Sequence, residues 1–494
     1  MFYDILALLG GLLLPLAFAP FNYPVFAIVG LLLLFAGWLN VSPGRAFLRG
    51  YLFGLGQFGL GVSWVYVSMH DYGGASLPEA AALTFVFTAF LALYPALAGW
   101  LSRRFFSERS QIYQLLIVFP AFWVLVEWFR GWFLTGFPWL QIGYSQTDTP
   151  LAAYGPILGV YGIGWVVAFV AGAILAAFHS ARKPRMIMAV AIVSVLGLGR
   201  GLSGISWTQP AGEPFKVTLL QGNVPQNMKW QPEFQRATLQ MYTEMTRQSW
   251  DSRLIIWPET AIPAFYHQVK DTYLADLEAE ARARSTDLLI GVPFYDQARD
   301  RYFNAIVALG QSPGVYFKRH LVPFGEYLPL RPLLGFILDI LEIPLSDFAS
   351  GNGGQTALVA AGHPLAASIC YEDIFGQESL AGLPQAAYLV NVTNDAWFGD
   401  SIAPHQHLQM ARMRSLETGR YMLRATNTGV TAIISPKGEI TVAAPLFQRA
   451  QATGTITPIA GSTPYTLWGD WPVVAVLGLS LGLAAWRRQG RARE

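Results

Sequence analysis

The chain of 494 residues is 53% hydrophobic and only 13% charged, with a mean hydropathy of +0.37 and a formal net charge of +2. An ordinary soluble domain has about 25% charged residues, so the composition excludes a disordered chain, a basic nucleic-acid-binding protein and a plain cytosolic enzyme. Residues 1–212 contain 10 Lys or Arg and 6 Asp or Glu, whereas residues 213–469 contain 19 and 23. The first part is typical of a membrane region, and the second of a globular domain with its own core.

Several stretches are apolar over about the 20 residues that a helix needs to cross a membrane. Residues 5–18 and 25–39 are each short and are separated by Pro20 and Pro24, so they form either two short spans or a re-entrant hairpin. Counting both, the pattern predicts about eight spans, and the other six lie at residues 48–69, 80–101, 115–133, 155–178, 186–202 and 471–486.

Basic residues occur in alternate loops only. Lys and Arg occupy the loops at 45–49, 103–109 and 182–185 and the tail at 487–493, whereas the loops around Asn22 and at 71–79 and 141–150 contain none. Cytoplasmic loops carry the excess of Lys and Arg, so both termini are expected in the cytoplasm. The globular domain follows seven crossings and is therefore expected on the other side, which in a bacterium would be the periplasmic face.

From residue 215 onwards, short β-rich runs alternate with polar helical stretches, which predicts a layered α/β domain. The chain then divides into a membrane bundle at 1–212, an extracytoplasmic domain at 213–465, and a final span with a basic tail at 466–494. Strands are expected at 215–221, 254–257, 288–292, 303–309, 315–318, 366–370, 388–392, 421–425 and 430–434, and helices at 232–250, 269–285 and 404–420.

Three chemically capable residues lie where a predicted strand gives way to a loop: Glu259, Lys318 and Cys370, the only cysteine. In α/β sheets, sites form at such strand ends. A thiol nucleophile needs a base and a donor for the oxyanion, and Glu and Lys can fill those roles without histidine. Each residue also has a structural interpretation, since Glu259 could begin a helix, Lys318 could be solvated, and Cys370 could be a small buried hydrophobe. Placement alone leaves both interpretations open.

Four motifs extend the pattern: W-P-E at 257–259, L-V-P-F-G-E at 321–326 after Lys318, C-Y-E at 370–372 and N-D-A-W-F-G at 394–399. Together they resemble the nitrilase superfamily, which has an α-β-β-α sandwich and a Glu-Lys-Cys triad. Such a domain between many spans and one final span resembles the apolipoprotein N-acyltransferases, which are bacterial inner-membrane enzymes of lipoprotein maturation. The resemblance covers essentially the whole chain.

The resemblance implies that Glu259 is the general base, Lys318 the oxyanion stabiliser and Cys370 the nucleophile. It also implies supporting or substrate-binding roles for four further residues: Trp230, Glu326, Tyr371 and Glu372. Cys370 would attack the sn-1 ester of a phospholipid, typically phosphatidylethanolamine, and keep the acyl chain as a thioester. The N-terminal amine of a diacylated apolipoprotein would then accept the chain, in ping-pong fashion.

No metal ion is expected, because no acidic ligand set accompanies His405 and His407. No cofactor or nucleic-acid partner is expected either, and nothing in the sequence demands more than a monomer. Negative charge near Cys370 should keep the resting thiol largely neutral. Residues 327–348 are rich in Leu, Ile and Phe and are interpreted as a mobile lid or interfacial arm that admits lipid, with an ordinary buried loop and helix as the alternative.

Two other functions fit parts of the pattern. A membrane-anchored amidohydrolase would use the same triad with water as the acceptor, but an anchor needs only one span. A transporter with a periplasmic binding domain would use the spans, but the triad motifs and the lack of an evident ion relay argue against it.

Several other charged residues have a structural interpretation. Glu127 and Arg130 lie three apart near the end of one span, where an intramembrane charge is a functional candidate but an interfacial pair that packs the bundle is favoured. A solvated face with Glu417 is expected for four arginines, with phosphate headgroups as the alternative partner: Arg412, Arg414, Arg420 and Arg424.

Overall fold

The computed structural model describes residues 1–334 and 347–491 and separates into two compact units. One unit comprises Met1–Tyr66, Pro78–Ile205 and Leu467–Glu494, and the other comprises Val67–Leu77 and Ser206–Thr466. The segment Val67–Leu77 therefore belongs with the globular unit, a placement that the apolar pattern around it did not indicate. The predicted arm at 327–348 lies partly outside the described residues, because residues 335–346 are not among them.

The first unit consists of apolar helices. Within the described residues, four are long and apolar enough to cross a membrane: Leu77–Phe106, Gln111–Arg130, Pro150–Phe178 and Arg182–Leu202. A broken pair, Pro43–Gly61 and Val65–Tyr72, passes the same test when it is counted as one span. Three shorter apolar helices are Phe2–Ala17, Val25–Trp38 and Trp471–Trp486. Each predicted span thus coincides with an apolar helix, while the total of eight spans and their orientation stay predictions.

Close helix contacts in this unit depend on small residues. A Cβ atom at Gly50 or Gly54 would lie 2.4 or 2.6 Å from backbone atoms of Pro95 and Ala92, so a larger residue would force the two helices apart.

Glu127 and Arg130 are both buried, and their hydrogen bonds go to the backbone of the following connection. Glu127 accepts from the Ile142 N–H at 3.0 Å, and Arg130 donates to the carbonyls of Phe137 and Trp139 at 2.5 and 2.6 Å. They therefore stabilise the return of the chain after Phe119–Arg130.

The second unit contains fourteen strands among its described residues. These are β1 Thr208–Pro210, β2 Phe215–Gln221, β3 Leu254–Ile256, β4 Asp287–Asp296, β5 Arg301–Leu309, β6 Gly314–Phe317, β7 Val359–Ala360, β8 His363–Ile369, β9 Tyr388–Thr393, β10 Met422–Thr426, β11 Ala432–Ile434, β12 Ile440–Ala443, β13 Ala450–Ile456 and β14 Ile459–Gly461. Two sheets of six strands have the orders β13-β2-β3-β4-β5-β6 and β12-β11-β10-β9-β8-β7, and β1 pairs with β14. The central strands β2-β3-β4 and β8-β9-β10 are parallel, whereas the outer pairs are antiparallel.

Alternate residues of each strand point to the same face of its sheet. The apolar faces of the two sheets pack against each other, so the core lies between them. Val217 and Leu219 of β2 pack in one cluster with Val390 and Val392 of β9. The outer face of the first sheet is covered by the helices Pro232–Arg247 and Ala275–Ala283, and that of the second by Ala403–Thr418, in clusters such as Leu220 with Tyr242 and Leu277, and Met422 with Leu408. The predicted α-β-β-α sandwich is thereby confirmed.

The shorter helical segments between the strands of this unit are Tyr266–Val269, Lys270–Leu274, Arg331–Leu334, Cys370–Ile374, Gly376–Ser379 and Asp395–Phe398. Ser68–Tyr72 lies in the segment Val67–Leu77 and directly follows Val65–Val67, and Pro464–Trp468 follows the last strand, β14.

Candidate active site

Three strand ends bring the predicted chemical residues together. Glu259 follows β3, Lys318 follows β6, and Cys370 follows β8 of the other sheet. The Lys318 Nζ lies 3.7 Å from the Glu259 Oε1 and 2.8 Å from the Glu326 Oε1. Lys318 is 1% exposed and Glu259 is 7% exposed, so these charges interact with little screening by water.

Cys370 occupies a strained turn. Its φ of +51° lies in the left-handed region, which costs a non-glycine residue about 1–3 kcal/mol and persists only where the surrounding structure imposes it. The strand β8 ends at Ile369, and the short helix Cys370–Ile374 begins at once. A nucleophile on such a sharp strand-to-helix turn is presented at the end of the sheet rather than along it.

Glu372 fastens this turn to the segment that carries Lys318. Its carboxylate accepts hydrogen bonds from the N–H groups of Ile369 and Arg319, both at 2.6 Å, and from the Tyr316 hydroxyl at 3.0 Å. Glu372 is 1% exposed. The structure therefore gives this predicted supporting residue a structural task, which is to hold the turn at Cys370 and the Lys318 segment in one arrangement.

Electrostatics keep the thiol neutral at rest. Burial raises the pKa of Cys370, Glu259 raises it further, and Lys318 only partly opposes them. Burial also disfavours charge on Lys318, but Glu326 and Glu259 outweigh it and raise the pKa of that ammonium. The pair at neutral pH is thus an uncharged thiol beside a charged lysine, in agreement with the expectation from the sequence.

Asn304 joins the two carboxylates around Lys318. Its side-chain amide donates to the Glu259 Oε1 at 2.6 Å and to the Glu326 Oε1 at 3.2 Å. The other oxygen of Glu326 accepts from the Val322 N–H at 2.8 Å. Sequence reasoning missed Asn304, although an amide inside the buried apolar run of β5 was a signal that could have identified it.

Lys229 supports the backbone on which Glu259 stands. Its Nζ donates to the Glu259 carbonyl at 3.3 Å and to the Thr260 hydroxyl, and the residue is 3% exposed. Burial lowers the pKa of Lys229 to about 8, although Glu259 opposes this shift. Nothing in the sequence distinguished this lysine from a solvated one, because its partners are about 30 residues away.

The two predicted aromatic residues lie on different segments of the chain. Tyr371 follows Cys370 directly and packs edge-on against Phe375 and His320, with ring centroids 5.1 and 5.6 Å apart. Trp230 is half-buried in the turn after β2. Within the ranges 1–334 and 347–491, the structure shows no hydrogen bond from its indole to Glu259, Lys318 or Cys370.

The arginines predicted to form a solvated face are mostly buried, so that prediction is wrong. Arg414, Arg420 and Arg424 are each fully buried, and only Arg412 is partly exposed. Arg420 donates to the carbonyls of Ala386, Pro384 and Gly461, and Arg414 pairs with Glu417 at 3.0 Å. The sequence could not reveal these partners, because most of them lie on other elements of the fold.

Replacing Glu372 with Gln should lower the stability of the globular unit by about 2–3 kcal/mol, because an amide nitrogen would then face buried N–H donors. We also expect slower modification of Cys370, since the turn loses its attachment to the Lys318 segment. Chemical unfolding followed by intrinsic fluorescence measures the first effect. Glu439→Gln is the matched control, as Glu439 is exposed; equal stability of the two variants would contradict the structural task of Glu372.

Comparison with known proteins covers nearly the whole chain. Residues 10–173 match the family described as "Apolipoprotein N-acyltransferase N-terminal domain", and residues 216–464 match the family described as "Carbon-nitrogen hydrolase". An apolipoprotein N-acyltransferase of Methylococcus capsulatus is 60% identical over 99% of this chain and 97% of its own length. An apolipoprotein N-acyltransferase of Nitrosomonas europaea is 47% identical over 94% of this chain and 93% of its own length. Among solved structures, a carbon-nitrogen hydrolase of Helicobacter pylori aligns with 49% of this chain and 89% of its own at 14% identity, with a TM-score of 0.38.

Proposed function

Because the chain belongs to the apolipoprotein N-acyltransferase family and is an acyltransferase of lipoprotein maturation, we propose that Cys370 carries the acyl chain between its two substrates. The observation that carries this proposal is the group of Glu259, Lys318 and Glu326 around a neutral thiol on a strained turn. Such a thiol needs a base to react, and the lysine is a fixed positive charge for the oxyanion.

In the first step, Glu259 takes the thiol proton while the Cys370 sulfur attacks the sn-1 ester carbonyl of a phospholipid. The developing oxyanion is stabilised by the Lys318 ammonium. When the carbon–oxygen bond breaks, Glu259 returns the proton to the departing glycerol oxygen. A lysophospholipid leaves, and the acyl chain stays on Cys370 as a thioester.

In the second step, the N-terminal amine of a diacylated apolipoprotein attacks the thioester carbonyl. Glu259 takes a proton from the amine as the carbon–nitrogen bond forms, and Lys318 again stabilises the oxyanion. The carbon–sulfur bond then breaks, and the proton returns to the sulfur. The products are an amide-linked third acyl chain and the free thiol, so the two half-reactions are balanced and ping-pong.

Membrane helices fit these substrates, since exposing an acyl chain to water costs about 0.8 kcal/mol per CH₂ group. We further propose a bacterial inner-membrane location with eight spans, cytoplasmic termini and residues 213–465 in the periplasm, which the alternation of basic loops supports. Phosphatidylethanolamine is the proposed donor and a monomer the proposed state. Trp230 and Tyr371 are proposed to line the pocket for the acyl chain or the headgroup.

Intact mass spectrometry after incubation with phosphatidylethanolamine tests the proposal. We expect a mass gain of one acyl chain that is absent in Cys370→Ala and is removed by a peptide with an N-terminal diacylglyceryl cysteine. Because Cys370 is the only cysteine, a thioester can form nowhere else. Release of free fatty acid without an adduct would instead identify a hydrolase with water as the acceptor.

A further inference from the structure

A buried cluster of four charged residues lies close to Cys370, and the proposed mechanism does not use it. Asp373, Asp395, His407 and Arg424 are all buried, with at most 2% of each residue exposed. They come from four elements: the turn after β8, the turn after β9, the helix Ala403–Thr418, and β10.

Within the cluster, each of the two cationic side chains contacts both carboxylates. The His407 Nε2 lies 2.8 Å from the Asp373 Oδ1, and its Nδ1 lies 3.0 Å from the Asp395 Oδ1. Arg424 bridges the same two carboxylates through their other oxygens, with Nη1 at 2.9 Å from Asp373 and Nη2 at 3.1 Å from Asp395. Each carboxylate is therefore held by one nitrogen of the imidazole and one of the guanidinium.

This geometry sets the charge of His407. Ionised carboxylates only accept hydrogen bonds, so both ring nitrogens must donate, and a ring that donates at both nitrogens is an imidazolium. Burial and Arg424 lower the pKa of His407, but Asp373 and Asp395 outweigh them, so that pKa is raised. The imidazolium consequently persists as the pH rises through the usual range of histidine. With the imidazolium counted, the cluster contains two anions and two cations, and its net charge is zero.

Two links connect the cluster to the thiol. Asn391 of β9 accepts from Arg424 at 2.7 Å and donates to the Cys370 carbonyl at 3.3 Å. In addition, the pKa of Cys370 is raised mainly by burial and by the charge of Glu259, and the charge of Asp395 raises it further. Any unbalanced negative charge in the cluster therefore acts on the same sulfur that Glu259 must deprotonate.

We propose that His407 is a positioning residue whose fixed positive charge, together with Arg424, neutralises Asp373 and Asp395 so that Cys370 faces an uncharged cluster. The inference deepens the proposed function, because it rests on Cys370 as the nucleophile. Its test nevertheless needs no acyl transfer. Alkylation of the single thiol reports on the surroundings of Cys370 even if the intact-mass experiment were to find no acyl adduct.

The test follows the rate of Cys370 alkylation by iodoacetamide as a function of pH in the full-length protein. His407→Gln leaves the cluster with one excess negative charge, so the profile should move to higher pH, with alkylation about tenfold slower at a fixed pH. His405→Gln is the matched control, because His405 lies on the same helix outside the cluster. Alkylation of His407→Gln at the wild-type rate would overturn the proposal.

A double variant separates charge balance from packing. Asp373→Asn combined with His407→Gln removes one anion and one cation, so neutrality returns although more contacts are lost. We expect its alkylation rate to recover most of the way to that of the wild type. A rate at or below that of His407→Gln alone would show that the residue acts only through packing, and would refute the charge-balance role.

The protonation state itself is measurable in a protein that keeps the whole cluster. Histidine ring ¹⁵N shifts are recorded in the His320→Gln background, because His320 also pairs with a carboxylate, that of Glu378. One ring should still carry protons on both nitrogens at pH 8. If every histidine signal is neutral at that pH, the proposal fails, whether or not the cluster variants fold.

Discussion

Replacing Glu259 with Gln should slow the transfer of an acyl chain onto Cys370 by about 10²–10⁴-fold at neutral pH, the range that general-base catalysis contributes. The reason lies in the thiol, whose pKa is raised by burial and then by Glu259, so that almost none of it ionises by itself. Gln keeps the size of the side chain and can still pair with Asn304, but it cannot take a proton. Single-turnover formation of the acyl adduct, followed by intact mass, gives the rate.

The pH profile distinguishes a lost base from a distorted site. Without the base, only the thiolate reacts, and its fraction rises about tenfold per pH unit below the thiol pKa. The residual rate of Glu259→Gln should therefore climb steadily with pH, whereas a distorted site would lower the rate equally at every pH. Glu439→Gln serves as the control for the loss of an exposed carboxylate. A rate for Glu259→Gln within tenfold of the wild type at pH 7 would remove Glu259 from the role of base.

Local sequence pattern predicted the central strands well, because their apolar residues are buried whatever lies next to them. The predicted runs at 215–221, 254–257 and 388–392 became β2, β3 and β9 almost residue for residue. The strand β13 was missed, since its sequence A-Q-A-T-G-T-I has weak strand propensity and includes Gly454. Its seven residues are strand because they pair along the whole length of β2, a contact between segments more than 200 residues apart.

The candidate site shows the same contrast between features that local sequence determines and features that depend on contacts with distant segments. Strand ends and motifs led to Glu259, Lys318 and Cys370, and the resemblance added Glu326, all of which depend on short stretches of sequence. Asn304 was missed because its importance comes from contacts with side chains of other segments. The buried arginines were wrongly expected to be solvated for the same reason, since a charged residue is buried only where distant partners compensate it.

In the proposed mechanism, the arrangement around Lys318 links the base to the oxyanion site. At rest, Glu259 and Glu326 both lie within salt-bridge distance of the Lys318 ammonium, and Asn304 holds the two carboxylates in place. In that mechanism, the negative charge of Glu259 disappears when Glu259 takes the thiol proton, just as a new negative charge develops on the substrate oxygen. Lys318 would therefore exchange one anionic partner for another, and the site would need no large rearrangement to stabilise the oxyanion.

Lys318→Met should consequently reduce acyl-adduct formation by about 10²–10³-fold, the usual cost of removing an oxyanion donor. It should also destabilise the globular unit by about 3–5 kcal/mol, because two buried carboxylates lose their cation. The unfolding transition and the single-turnover rate measure the two effects separately. Unchanged stability would mean that Glu259 and Glu326 do not depend on this lysine.

Adding Glu326→Gln to Lys318→Met separates stability from chemistry. The double variant buries one carboxylate fewer, so it should regain much of the lost stability, while the oxyanion still has no cation and acylation stays slow. Recovery of both quantities together would show that Lys318 acts only by neutralising its neighbours. Recovery of stability alone would show that the positive charge of Lys318 stabilises the transition state, because the acylation rate would then depend on an interaction with the oxyanion that is absent from the resting enzyme.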